Sequence, residues 1–357
     1  MQFFGMLAAI ALTALCWGVY GPVLHIGREA MHSALRPFMC VGAAYFLIAV
    51  IVPAALILRG GEKGKWTTMG TLWSLAAGAC GALGALGVIL ALSFGGRPIY
   101  VMPLVFGGAP VINTLLTATL NRSFNQLKAP FLAGLLLVVL GAVTVLVFKP
   151  QPPAHAAEPA AAAEAAADAA PESEAVASEK TAKTVAGRAA QSLERRAEKF
   201  VEVLLAVALA MLSWGAYGPV LHKGQAAMGG SRLRPLLCIG LAYFLIAVLV
   251  PLALLGPLGD TGSWTFSGVT WSLAAGAMGA CGALGTILAF TLGGKPFTVM
   301  PVVFGCAPVI NTLTSSLLQG VALRDVSPFF LAGMLIVGIG AATVLAFAPR
   351  GHAPKPA

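Results

Sequence analysis

The sequence predicts an all-α polytopic membrane protein, with about ten transmembrane helices in two inverted five-helix repeats, and three observations predict it. Across 357 residues, 58% are hydrophobic and only 10% are charged, with a mean hydropathy of +0.88. An average soluble domain carries about 25% charged residues, so this chain cannot keep a water-facing surface polar and must turn apolar surface to lipid. The apolar residues fall into runs of membrane-crossing length. The chain is also a duplication. A soluble enzyme, a secreted disulfide module and a nucleic-acid binder are excluded at this stage.

The duplication is direct. Trp17-Gly18-Val19-Tyr20-Gly21-Pro22-Val23-Leu24-His25 recurs as Trp214-Gly215-Ala216-Tyr217-Gly218-Pro219-Val220-Leu221-His222. Arg36-Pro37, Cys40 and Tyr45-Phe46-Leu47-Ile48 recur as Arg234-Pro235, Cys238 and Tyr243-Phe244-Leu245-Ile246. From Trp73 to Thr114, 31 of 42 positions are identical, without gaps, to Trp271–Thr312. The apolar runs of the first half are 3–25, 36–58, 67–94, 99–119 and 130–148; those of the second are 201–222, 235–256, 268–292, 297–317 and 328–348. Each is near the about 20 residues that cross a bilayer as a helix. The domains are therefore a first repeat at 1–149, an Ala/Glu-rich low-complexity linker at 150–199 expected to be disordered, a second repeat at 200–349 and a tail at 350–357. Residues 193–199 of the linker read as a helical lead-in to the sixth span.

An odd number of spans per half puts equivalent loops on opposite sides of the membrane, which basic residues can report. With the N-terminus inside, Arg59, Lys63, Lys65, Arg122, Lys128, Lys223, Arg232, Arg234, Lys295, Arg350 and Lys355 face inside, and Arg28, Arg36, Arg97 and Arg324 face outside. That is eleven against four, with the excess moved to the opposite loops in the second copy. The linker, placed outside, disagrees: with Lys149 it adds seven basic residues there. Short-loop bias decides for cytoplasmic N- and C-termini and a multi-pass protein of the cell membrane.

Candidate chemistry in the spans is sparse. The six cysteines lie in apolar runs without CxxC spacing or neighbouring His and carboxylate, so no metal and no cofactor is expected. HExxH, GxSxG and Walker motifs are absent, Glu202 is the sole acidic residue read at a span, and no catalytic residue is assigned. Gly78, Gly81, Gly84 and Gly87, with Gly276, Gly279, Gly282 and Gly285, lie inside spans and read as close helix contacts rather than a dinucleotide fingerprint. In the fourth and ninth spans Pro103, Pro110 and Asn113-Thr114 correspond to Pro301, Pro308 and Asn311-Thr312. Paired Gly/Pro-interrupted spans point to a central site between two halves, with these prolines as helix breaks; a kinked packing helix with Asn bonding to a neighbour is the other reading. In the first and sixth spans Pro22 and Pro219 stand beside Trp17, Tyr20, Trp214 and Tyr217. These aromatics read either as a cradle for an organic solute or as an interfacial belt. His25 and His222 are read at span ends, as anchors or helix C-terminal partners rather than proton carriers, and Arg36 and Arg234 as helix starts held at the headgroups.

The pattern resembles the drug/metabolite transporter superfamily with EamA-like five-plus-five repeats. Trp-Gly in the first span of each half carries the resemblance, with Pro110–Thr114 and its copy Pro308–Thr312, and the closing run Gly134–Ala142 with its copy Gly333–Ala341. The chain departs from the family where a Glu often stands between the fourth and fifth spans: Asn121-Arg122-Ser123 and Gln319-Gly320-Val321 have none. The resemblance implies a ten-helix carrier of a small organic metabolite or drug-like solute, working by alternating access between inverted halves. The substrate-binding candidates are then Trp17, Tyr20, Asn113, Thr114, Trp214, Tyr217, Asn311 and Thr312, with Pro22, Pro103, Pro110, Pro219, Pro301 and Pro308 as gates. The expected partners are a small-molecule substrate and the lipid bilayer, with no nucleic acid and a homodimer left open. A lipid flippase or membrane-embedded enzyme, and a non-transporting scaffold acting through its linker, are the alternatives.

Overall fold

Ten long helices form along the ten apolar runs. The structure is a computed structural model and describes residues 2–60, 62–96, 98–148, 179–318 and 327–349. Arg97, Lys149, linker residues 150–178, Gln319–Val321, Arg324, Arg350 and Lys355 lie outside the described residues. In chain order the helices are α1 Gln2–Met31, α2 Leu35–Leu58, α3 Thr68–Ser93, α4 Pro98–Asn121 and α5 Ala129–Val147. The second half gives α6 Glu179–Ala227, α7 Leu233–Leu254, α8 Phe266–Thr291, α9 Pro296–Leu318 and α10 Pro328–Phe347. Each contains a stretch long and apolar enough to cross a membrane, and no strand occurs among the described residues. Outward-facing Leu104, Leu132, Leu136, Leu140, Leu331, Leu335 and Ile339 are exposed along the helix sides, as lipid contact requires. This is a multi-pass membrane protein.

Three sequence expectations are corrected. The prolines do not break their helices: α1, α4, α6 and α9 run unbroken through Pro22, Pro103, Pro110, Pro219, Pro301 and Pro308. A proline costs one backbone hydrogen bond, and unwinding further would expose more polar backbone where no water can satisfy it. The helical lead-in is longer than expected, because α6 begins at Glu179, inside the segment read as disordered linker. Finally, α1 and α6 do not stop at the histidines. α1 ends only where His32 adopts a left-handed conformation (φ 48°), the position that Gly229 takes after α6 (φ 69°). Arg28 and Lys223 are therefore helical, not loop charges, and Glu29 joins Glu202 as an acidic residue within a span.

The two halves exchange contacts reciprocally. α1 packs on α8 and α9, and α6 packs on α3 and α4. Equivalent helices meet antiparallel: Gly42 of α2 faces Ala247 and Val248 of α7, while Gly240 of α7 faces Ala49 and Val50 of α2. Likewise Gly134 meets Thr343 and Val344, and Gly141 meets Val337. The glycine rows of α3 and α8 make this approach close. A Cβ on Gly78 would stand 2.6 Å from the Ile239 carbonyl oxygen, and one on Gly84 would stand 2.1 Å from the Trp214 ring. In the other half, Gly276 and Gly282 receive Val41 and Trp17 in the same way.

Loops at opposite ends tie the halves together. Thr67 and Thr265 cap α3 and α8 by accepting from Gly70 and Gly268, and each hydroxyl also donates to the other half, to Ala227 O and Ala30 O. Beside each cap sits a carboxylate clamp. Asp260 accepts from Ser33 Oγ and from the Arg36 guanidinium. Glu62 accepts from Ser231 Oγ, from the Arg232 and Leu233 amides and from Arg234 Nη1. Arg36 and Arg234 start their helices as expected, but they are held by acids of the opposite half rather than by lipid headgroups. One departure from symmetry lies in α2, which takes a π-helical turn at Phe46–Ile51 just before Pro53. α7 stays α-helical up to Pro251.

Candidate functional site: a one-sided cavity between the halves

A cavity of about 580 Å³ lies between the halves. Its wall is aromatic, because the Trp-Gly-x-Tyr-Gly-Pro segments of α1 and α6 both face it. Trp17 and Trp214 are anchored by indole N–H bonds to backbone carbonyls that the glycine rows leave accessible, Gly279 O and Gly81 O, each at 3.2 Å. Trp17 meets Tyr217 edge-on with ring centroids 5.6 Å apart. Tyr45 and Tyr243 stack at 3.9 Å with nearly parallel rings. Phe106 and Phe304, also lining the cavity, approach at 6.3 Å. The Tyr217 hydroxyl is buried and has no hydrogen-bond partner, so it remains as a polar contact within the aromatic layer.

From this aromatic layer the cavity continues toward the C-terminal ends of α1, α3 and α9. Its further lining includes Leu24, His25 and Arg28 of α1, Val88, Ile89 and Leu92 of α3, and Asn311, Thr312, Ser315 and Ser316 of α9. All of these lie toward the C-terminal ends of their helices. At the matching ends of α4, α6 and α8 the same repeat positions are packed shut. Asn113, the copy of Asn311, is fully buried and its Nδ2 donates to Pro296 O at 2.9 Å. Gln225, at the repeat position of Arg28, donates to Ile287 O at 3.2 Å and to Thr291 Oγ1 at 2.8 Å. His222 is half-buried edge-on to Phe290, whereas His25 is exposed and pairs with Glu29 at 3.2 Å. Lys223 Nζ reaches Leu120 O at 3.4 Å.

The sequence candidates divide accordingly. Trp17, Tyr20, Pro22, Trp214, Tyr217, Asn311, Thr312 and Pro308 line the cavity. Asn113 and Thr114 do not, because they sit in the closed end, 0% and 2% exposed. Pro103, Pro110, Pro219 and Pro301 are packed in helix interfaces away from it. The sequence reading missed Tyr45, Tyr243, Phe106, Phe304 and Arg28. The two tyrosines stood inside the quoted repeat. Aligning His32 with Gly229 would have extended α1 past Arg28.

No family model matches the chain, and no curated protein matches it in sequence. Among solved structures, one described only as "Crystal structure of protein" superposes with a TM-score of 0.60 at 18% identity. The match covers 98% of each chain. The likeness is one of fold. It extends over the whole ten-helix architecture and carries no activity with it.

Proposed function

We propose that the chain is a secondary transporter that moves a small organic solute across the cell membrane. Two inverted five-helix repeats, similar to those of the EamA-like drug/metabolite transporters, would alternate access to the central cavity. The observation that carries this reading is the inequality of equivalent residues. Asn311 and Arg28 line an accessible chamber while Asn113 and Gln225, their repeat copies, are buried and hydrogen-bonded. Two homologous halves that adopt an open and a closed arrangement would, on exchanging these roles, give a cavity open to the other side. Inversion is supported by the antiparallel packing of equivalent helices at Gly42/Gly240 and Gly134/Val344. With the N-terminus inside, the cavity faces outside.

The reading favours a carrier over a flippase or membrane enzyme, since the acidic groups Glu62 and Asp260 at the loop ends are both engaged in interhalf clamps. Asn113→Ala together with Asn311→Ala is expected to reduce solute flux without lowering the amount of protein in the membrane. In Asn113→Ala alone, loss of the Asn113–Pro296 bond removes about 1 kcal/mol from the closed end, a shift of about fivefold in the ratio of the two states. Flux of a transported solute in proteoliposomes that is unchanged in the double variant would overturn the assignment of these residues to the central site.

A further inference from the structure

Among the described residues that line it, the cavity has one fixed cation and no carboxylate. Of the residues that line it, only His25 and Arg28 carry basic groups, and none is Asp or Glu. Arg28 Nε is buried without a hydrogen-bond partner, and among the described residues no carboxylate lies within ion-pair distance of the guanidinium. Glu29 is adjacent in sequence, but its carboxylate is largely exposed and pairs with His25. Packing does not demand the charge. The second half builds the same position with neutral Gln225, whose amide nitrogen makes two hydrogen bonds while its oxygen has none. A guanidinium in a largely apolar chamber, with no described carboxylate at ion-pair distance, favours an anion beside it, and its planar fork matches a carboxylate.

The rest of the chamber specifies what is attached to that carboxylate. Trp17, Tyr20, Leu24 and Arg28 recur at helical spacing and lie along one stripe of α1. Arg28 is eight residues beyond Tyr20, about 12 Å along the helix, and its long side chain leans back toward the N-terminus. A solute therefore meets the guanidinium near the mouth and the aromatic layer below it. The cavity volume of about 580 Å³ suits a drug-sized solute.

Resting on the carrier reading, we propose that the cavity takes an amphiphilic organic monocarboxylate, with its carboxylate on Arg28 and its flat apolar or aromatic body against the tryptophan–tyrosine layer. Three probes of one shape and different charge test this: indole-3-acetate, indole-3-acetamide and tryptamine, titrated calorimetrically into the purified full-length protein. The acid is expected to bind about 10- to 100-fold more tightly than the amide, the range of a charge-assisted hydrogen-bonded pair, and tryptamine is expected to bind more weakly than both. Arg28→Gln, which installs the residue of the second half, is expected to erase the preference of acid over amide. Arg28→Lys should retain part of the preference. An amide that binds as well as the acid, a preference that survives in R28Q, or an acid that fails to bind at millimolar concentration overturns the proposal. Should R28Q not fold, the comparison of acid with amide on the native protein still decides. The carrier reading fails separately: an acid that binds in this way but does not cross proteoliposomes would remove transport and leave the anion site.

Discussion

Asp260→Ala is expected to lower the stability of the protein by about 3–5 kcal/mol, the cost of leaving a buried cation without its partner. Asp260 is 8% exposed and Arg36 16%, so water cannot replace the lost carboxylate well. The carboxylate also receives Ser33 Oγ and the Gly262 amide, and all of these donors lose their acceptor at once. Glu62→Ala at the opposite end is expected to be at least as costly. Its carboxylate is 4% exposed and caps the start of α7 through two backbone amides, while Arg234 lies over Trp66 at 5.8 Å. The double variant Arg36→Ala/Asp260→Ala should cost less than the sum of the singles, because it removes both charges of the pair. Thermal unfolding of the purified protein checks all of these. An Asp260→Ala protein that melts like the native one would show that the clamp contributes nothing to joining the halves.

Gly78→Leu and Gly276→Leu should also destabilise the protein, by a different route. Each glycine faces backbone of the other half: Ile239 O at 2.6 Å from a Cβ on Gly78, and Val41 Cα at 2.8 Å from a Cβ on Gly276. Flexible side chains can move aside, but helix backbone cannot do so without opening the interface. Overpacking of this kind costs about 1–3 kcal/mol, and occasionally more. Here it acts on the seam that holds the halves together, and each variant is expected to yield little monodisperse protein after extraction. Gly338→Leu is the control, since nothing lies within 4 Å of a Cβ there; it should fold and elute normally. Equal behaviour of the three variants would contradict a close interhalf seam at these glycines.

Much of the fold is legible in the sequence because lipid imposes a simple rule. Backbone polar groups must be satisfied within each span, so ten apolar runs become ten helices, with ends close to those the hydropathy implies in all but α1 and α6. The aromatic part of the cavity is legible too, through the repeated Trp-Gly-x-Tyr-Gly-Pro. What escapes is whatever the two copies do differently. Asn113 and Asn311 are identical in type and repeat position, yet one is buried on Pro296 O and the other lines the chamber. A repeat read from its letters assigns both the same role, whereas a single conformer of the folded chain cannot. Arg28 escaped for another reason. Gly27-Arg28-Glu29 reads as a polar loop, but the i→i−4 ladder of α1 runs on to Met31 and carries the guanidinium into the cavity. The clamps were invisible because Glu62 and Asp260 lie far from Arg234 and Arg36 in the chain, and only the folded halves bring them together. The prolines misled in the opposite direction, as letters that usually break a helix but do not break these.

The account rests on two halves of opposite orientation around a one-sided cavity, and the sidedness of the chain tests that most directly. A side-reporting tag inserted near residue 170 and a second after residue 350 divide the protein at its two informative points. The account predicts opposite sides, with the tail in the cytoplasm and the interhalf segment outside. Tags found on the same side of the membrane would mean an even number of crossings between them, parallel halves, and a cavity that cannot exchange its open and closed ends.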